Sequence, residues 1–211
     1  MNDWQDRLRT GLTTPSAQRD RELFRELNPH LPRSPILREP PTRPRPAAVL
    51  IGVRDTADPS VVLTVRSPTM PSHAGQISLP GGTPKEVDAG LVATALREAE
   101  EEVGLVREHV TVIGSMGRHY GGLGYVVTPV VAILEAEARL TACPREVSEA
   151  FEVPLSSLVE RDNHVIQERT FDGITYNMHA VPAEDTRGEM RNIWGLTAGI
   201  LRTLSEAFQR G

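Results

Sequence analysis

The sequence predicts an α/β domain in which strands and a few helices pack in layers. Three observations carry this expectation. Two β-rich runs stand close together at 47–53 and 60–65, a helix candidate at 88–103 gathers its apolar residues on one stripe, and a second amphipathic stretch lies at 193–208.

Taken in order, the first 28 residues contain helix-compatible stretches such as 18–27. Then come Pro29, Pro32, Pro35, Pro40, Pro41, Pro44 and Pro46. Proline fixes φ and lacks an N–H, so this stretch reads as an extended connector over the surface, with a PxxP ligand for a partner domain as the rival reading. The chain is therefore divided into a helical and proline-rich extension, 1–46, and a domain, 47–211. The extension is expected to be dispensable for the chemistry. A polar turn from Asp55 to Pro59 joins the first two β runs into a hairpin. A loop rich in Pro, Ser and Gly ends in Pro80-Gly81-Gly82, and the helix that follows stops at Gly104, a natural terminator. Further β-type runs are 110–113, 125–134 (read as interrupted by Pro129) and 174–181. Gly121-Gly122-Leu123-Gly124 lacks the strand-then-helix context of a phosphate loop and reads as a turn.

The 211 residues suffice for one domain with a modest extension. Aromatics make up 4%, so the core must rest on Val, Leu, Ile and Ala. No apolar run approaches the ~20 residues that span a bilayer, and the N-terminus shows no secretory pattern, so no membrane association is expected. A lone cysteine, Cys143, closes no internal disulfide, which suits a reducing compartment, and a cytoplasmic location is expected. With a net charge of −5 the chain gains no long-range attraction to nucleic-acid backbones. The acidic balance includes a knot of carboxylates.

That knot is Glu98-Ala99-Glu100-Glu101-Glu102. At ~100° per residue, Leu91, Val92, Ala95, Leu96, Ala99 and Val103 form the apolar stripe. Glu98 and Glu102 stack along one edge of it, ~6 Å apart on the axis, with Glu101 adjacent and Glu100 turned away. Like charges at i, i+4 disfavour a helix, and a hard divalent cation would turn the repulsion into attraction. Arg97 can pair with Glu101 and fix its direction. A solvated acidic face would account for the run alone; its setting between Pro80-Gly81-Gly82 and Gly104-Leu105 favours chemistry.

The segment from Gly82 to Leu105 resembles a Nudix box, G-x5-E-x7-R-E-U-x-E-E-x-G-U with U aliphatic. Gly82, Arg97, Glu98, Glu101, Glu102, Gly104 and Leu105 match, with Ala99 at the first aliphatic place. Asp88 replaces the first glutamate, and one extra residue separates it from Arg97. The resemblance implies a Nudix-type α/β/α sandwich with a mixed sheet and a metal-binding loop–helix–loop. It implies diphosphate hydrolysis with Mg²⁺ or Mn²⁺ held by Glu98, Glu102, Glu101 and the Gly82 carbonyl. Glu101, Glu98 and Arg97 become the candidate catalytic residues, and Glu146 and Glu149 are candidates for a base or extra ligand outside the box.

The segment 63–82 is similar to the signature of the coenzyme A pyrophosphatase branch, through Arg66, Ser67, His73, Gly75, Gln76, Pro80, Gly81 and Gly82. Ile193-Trp194-Gly195-Leu196-Thr197-Ala198 resembles that branch's C-terminal motif. Arg66, His73 and Gln76 are thereby the candidate substrate contacts, and coenzyme A the favoured small-molecule substrate. Val65 and Pro71 stand where the branch carries basic residues. ADP-ribose or a dinucleotide as substrate, a non-catalytic sensor of the same fold, and a homodimeric assembly stay open.

Overall fold

The computed structural model describes residues 3–31, 44–69, 74–120 and 124–211. The predicted hairpin is present as β1 (Arg45–Arg54) and β2 (Ser60–Arg66), paired antiparallel at Val53 and Val61. Strand β1 starts two residues before the expected boundary, inside the proline-rich stretch. Its other edge runs parallel to β7 (Tyr125–Leu134) from Arg45↔Tyr125 to Arg54↔Leu134. Every other pairing in this sheet is antiparallel. The short strands β3 (Ile77–Ser78) and β4 (Gly81–Gly82) pair with β2 and β1. Strands β5 (Val110–Ser115) and β6 (His119–Tyr120) pair with β7, and β8 (Val147–Pro154) with β2. The sheet is mixed, and a second, antiparallel sheet has the order β11 (Met190–Trp194), β10 (Ile174–Glu184), β9 (Val165–Phe171).

The period of two along β1 sorts the core into layers. Ala48 and Leu50 meet Ala95, Leu96, Ala99 and Val103 of α4 (Leu91–Val103) on one face. Ala47, Ile51 and Val53 point the other way, into the larger cluster with Ile200, Leu201 and Leu204 of α6 (Gly195–Phe208). Helices on both faces of a mixed sheet make the expected α/β/α sandwich. Among the described residues no helix is long and apolar enough to cross a membrane.

Several expectations are corrected. Helix α4 begins at Leu91 rather than Asp88, because Asp88 closes a turn in which its carboxylate accepts the backbone N–H of Lys85 at 2.8 Å. Val92 is 41% exposed and does not belong to the buried stripe. Helix α6 begins at Gly195, since Ile193 and Trp194 are in β11, opposite Val181 and Ala180. Pro129 does not interrupt its strand. Its carbonyl accepts from Met116, on the side where β5 has ended and β6 has not begun, so the ring that cannot donate faces the break in the ladder.

The extension also proves to be more than a tether. Helix α1 (Asp3–Leu12) buries Leu8 and Leu12 in the larger cluster, against α6. The short helices α2 (Pro15–Gln18) and α3 (Leu23–Leu27) continue over that face, where Asn28 exchanges hydrogen bonds with the Asn177 backbone at 2.7 and 2.8 Å. Most of the proline-rich stretch, 32–43, lies outside the described residues, as do 121–123 of the glycine turn.

Candidate active site

Packing α4 by its apolar stripe fixes where its acids go. Glu98 and Glu102, on the edge of the stripe, are buried at 9% and 3% exposure, while Glu100 and Glu101 are exposed. Glu146 reaches the same place from another segment. Cys143 donates its N–H to the Glu102 carbonyl (2.9 Å), the turn closes from Glu146 N–H to the Cys143 carbonyl (3.0 Å), and Ser67 N–H binds the Glu146 carbonyl (2.9 Å). That turn is thus fastened to the end of α4 on one side and to the segment after β2 on the other. Carboxylate oxygens of Glu98, Glu102 and Glu146 all lie within 4.8 Å of one another.

The glycines of β4 form the opposite wall. Gly81 donates its N–H to Glu102 Oε2 at 3.0 Å. A Cβ on Gly82 would stand 2.5 Å from the Glu98 carboxylate carbon, so only glycine admits that carboxylate here. Arg66, at the end of β2, brings Nη1 to 3.9 Å from Glu102 Oε1, and its buried Nε has no hydrogen-bond partner among the described residues. Burial pushes the Glu102 carboxyl up to about 7, against the pull of Gly81 N–H and Arg66; the charges of Glu98 and Glu146 push the same way as burial. An all-oxygen donor set, crowded, buried and short of positive charge, fits a hard divalent cation.

A second tier of charges surrounds this group. Arg97 Nη1 lies 2.8 Å from both Glu98 Oε1 and Glu101 Oε2. Its Nε and Nη2 grip Asp88 at 2.9 and 3.0 Å, and Nη2 also donates to the Thr83 carbonyl at 3.0 Å. Asp88 is therefore a salt-bridge partner, and Arg97 holds its carboxyl well below the usual range. Glu101 receives Lys85 Nζ on both oxygens at 2.9 Å; this contact, with Arg97, lowers its pKa despite some burial.

Of the expected ligands, then, the structure brings Glu98 and Glu102 together, lays the Gly82 backbone against Glu98, and leaves Glu101 outside the group on Lys85 and Arg97. Of the two outer candidates, Glu146 joins the group. Glu149 instead takes both terminal nitrogens of Arg191, at 2.8 and 2.9 Å, together with Arg187, in a network around buried Asp185. Gln76 is half-buried and its carbonyl accepts Arg66 N–H at 3.0 Å. His73 lies outside the described residues. Lys85 and the Gly81 N–H were missed: a backbone donor leaves no mark of its own in a sequence, whereas Lys85 carried one, being the only lysine in the chain.

Residues 43–172, more than half of the chain, match the NUDIX domain. The chain belongs to the Nudix family. The Nudix hydrolase NudL of Photorhabdus laumondii is 37% identical over 165 residues, covering 78% of this chain and 86% of the relative. NudL of Klebsiella pneumoniae is 38% identical over 183 residues, covering 85% and 93%. Among solved structures, a MutT/nudix family protein from Enterococcus faecalis aligns with TM-score 0.48 at 19% identity, over 80% of this chain and 62% of that one. This protein is a Nudix hydrolase, an enzyme of diphosphate bonds in small nucleoside diphosphate derivatives, and the sensor alternative is set aside. Nudix hydrolases generally use divalent metal ions, which agrees with the chemistry of the acidic group.

Proposed function

We propose that this Nudix hydrolase cleaves the diphosphate of coenzyme A or its acyl derivatives, giving 3′,5′-ADP and 4′-phosphopantetheine or its acyl form, with Mg²⁺ or Mn²⁺, in the cytoplasm. One contact carries the reading. In the two segments that resemble the coenzyme A branch, Ile77 and Thr197 stand 120 residues apart, yet Thr197 Oγ1 donates to the Ile77 carbonyl at 3.2 Å. Ile77 pairs with Val65, next to Arg66, whose guanidinium faces Glu102. The C-terminal segment is thus fastened to the strand that pairs beside Arg66, which supports reading the two segments as parts of one substrate site.

In this reading Glu98 and Glu102 are the principal metal ligands, with Glu101 a further one. A bound divalent cation supplies Lewis-acid stabilisation to the diphosphate oxygens and the attacking water. Arg66 turns its guanidinium to a phosphate oxygen and orients the diphosphate. Glu146, half-buried and without an ion-pair partner among the described residues, takes the proton from the water. The experiment is a panel of coenzyme A, dephospho-coenzyme A, ADP-ribose and a dinucleotide with Mg²⁺ or Mn²⁺, with products identified by mass. The highest kcat/KM is expected for coenzyme A or an acyl form; faster cleavage of ADP-ribose or the dinucleotide would assign the enzyme to the rival substrate.

A further inference from the structure

The loop between β4 and α4 carries the only lysine of the chain, Lys85. Its Nζ lies 2.9 Å from both oxygens of Glu101 and has no other acceptor among the described residues. Arg97 takes one of the same oxygens at 2.8 Å. A carboxylate bound by two cations in this way has little capacity left for a metal ion. The two cations are not equally committed. The Arg97 side chain is 16% exposed and is held also by Asp88, Glu98 and the Thr83 carbonyl. The Lys85 side chain is 54% exposed and bound at one point. Its backbone, by contrast, is fixed, because Lys85 N–H donates to Asp88 and the Asp88 N–H returns to the Lys85 carbonyl at 3.0 Å. The ammonium can leave while the loop stays, and water solvates a released lysine well.

We propose that Lys85 is a resident counter-cation for Glu101, occupying that carboxylate until a divalent cation enters beside Glu98 and Glu102 and then yielding it. Glu101 becomes a metal ligand only on loading, and Lys85 sets how much metal is needed. This rests on the divalent-cation reading of the site. The device acts on affinity with a definite sign: Lys85 competes with the metal for Glu101 and repels it, so removing the ammonium tightens metal binding. Damage to the fold would do the reverse.

The test is a titration of Mn²⁺ into the full-length protein without substrate, following the free-ion signal by electron paramagnetic resonance. Lys85→Gln is expected to bind Mn²⁺ roughly three- to tenfold more tightly than wild type, and Lys85→Arg, which keeps the charge, about as wild type. In a Glu101→Gln background, Lys85→Gln should tighten binding much less, because the competition for Glu101 is gone and only the screened repulsion remains. Equal or weaker binding by Lys85→Gln overturns the proposal, as does tightening that is undiminished without Glu101. Those outcomes leave the metal site itself standing; a wild-type protein that binds no Mn²⁺ overturns both.

Discussion

The backbone of Gly82 and the carboxylate of Glu98 lie in contact, so close that a Cβ on Gly82 would sit 2.5 Å from Glu98 Cδ and 2.7 Å from each of its oxygens. Glycine is required here by a neighbour, with no turn involved. Gly82→Ala should force Glu98 out of the acidic group while leaving the sheet, whose β1–β4 pairing is a main-chain matter, in place. The expected result is a loss of turnover of about a hundredfold or more with weaker metal binding, since reacting groups tolerate little misplacement. Circular dichroism and activity measured on the same preparation check it: full activity in Gly82→Ala would show that Glu98 has room to retreat.

The acids of α4 should separate by position. Glu98→Gln and Glu102→Gln each remove a charge from the buried group and should lower turnover by orders of magnitude with the fold kept. Glu100, exposed and on the other flank, should tolerate Gln with an effect within about twofold. Chelation of divalent ions should abolish wild-type activity. Turnover that survives excess EDTA would remove the metal from the mechanism.

Much of this was legible beforehand, because a helix with one apolar stripe has a calculable phase. Once Ala95, Ala99 and Val103 are placed inward, the directions of Glu98, Glu100 and Glu102 follow from 100° per residue. What escaped depended on tertiary contact. Glu146 and Glu149 looked alike in sequence; the hydrogen bonds of the 143–146 turn bring one to the acidic group, and Arg191 draws the other away. Strand β9 was missed because Gln167, Glu168, Arg169 and Thr170 show no apolar alternation, and it is paired only on the edge of a small sheet. Asp88 reads in the sequence as either a helix start or a salt-bridge partner; the structure decides for the second, with Arg97 reaching back to claim it.

The N-terminal helix should matter to stability despite lying before the matched domain. Leu8 is fully buried against the larger core. Leu8→Ala should cost about 2–5 kcal/mol, as for other buried leucines cut to alanine. Removing residues 1–28 should expose that face and give a protein that aggregates or melts far lower. A truncated chain with an unchanged melting temperature would show that α1 is peripheral.

Acid should weaken the fold through His119. This ring is fully buried, with Nδ1 3.1 Å from the Gly117 carbonyl and Nε2 3.0 Å from Thr203 Oγ1; burial lowers its pKa to about 4. Nearby Arg21 pushes in the same direction, while the Gly117 carbonyl, Asp20 and Glu206 oppose it. The unfolded chain takes up the proton near its ordinary value of about 6.5, the folded one only near 4, so protonation favours unfolding. Stability is therefore complete above about 6.5 and falls as pH drops towards 4, by a few kcal/mol at most. Denaturant melts at pH 7.5 and 5.0 should show this fall, and His119→Asn should reduce the difference between them. Equal slopes for the two proteins would place the acid sensitivity elsewhere.

Arg66 gives the sharpest test of the substrate. Its buried Nε has no partner among the described residues, and its carboxylate contact with Glu102, at 3.9 Å, is too long for a hydrogen bond. An arginine left in this state is available to a phosphate, and a charge-assisted hydrogen bond of that kind contributes about 1.5–3 kcal/mol. Arg66→Ala should then cost roughly ten- to a hundredfold in kcat/KM. A loss large for coenzyme A and small for dephospho-coenzyme A puts Arg66 on the 3′-phosphate. An equal loss for both puts it on the scissile diphosphate, the outcome favoured by its closeness to Glu102. The melting temperature must be read alongside, because Arg66 also neutralises part of the charge on buried Glu102. If that were its main role, Arg66→Ala would lower stability and affect every substrate alike through loss of folded protein. Kinetics and melting both unchanged would remove Arg66 from the site, and the charge that favours coenzyme A would have to come from another residue.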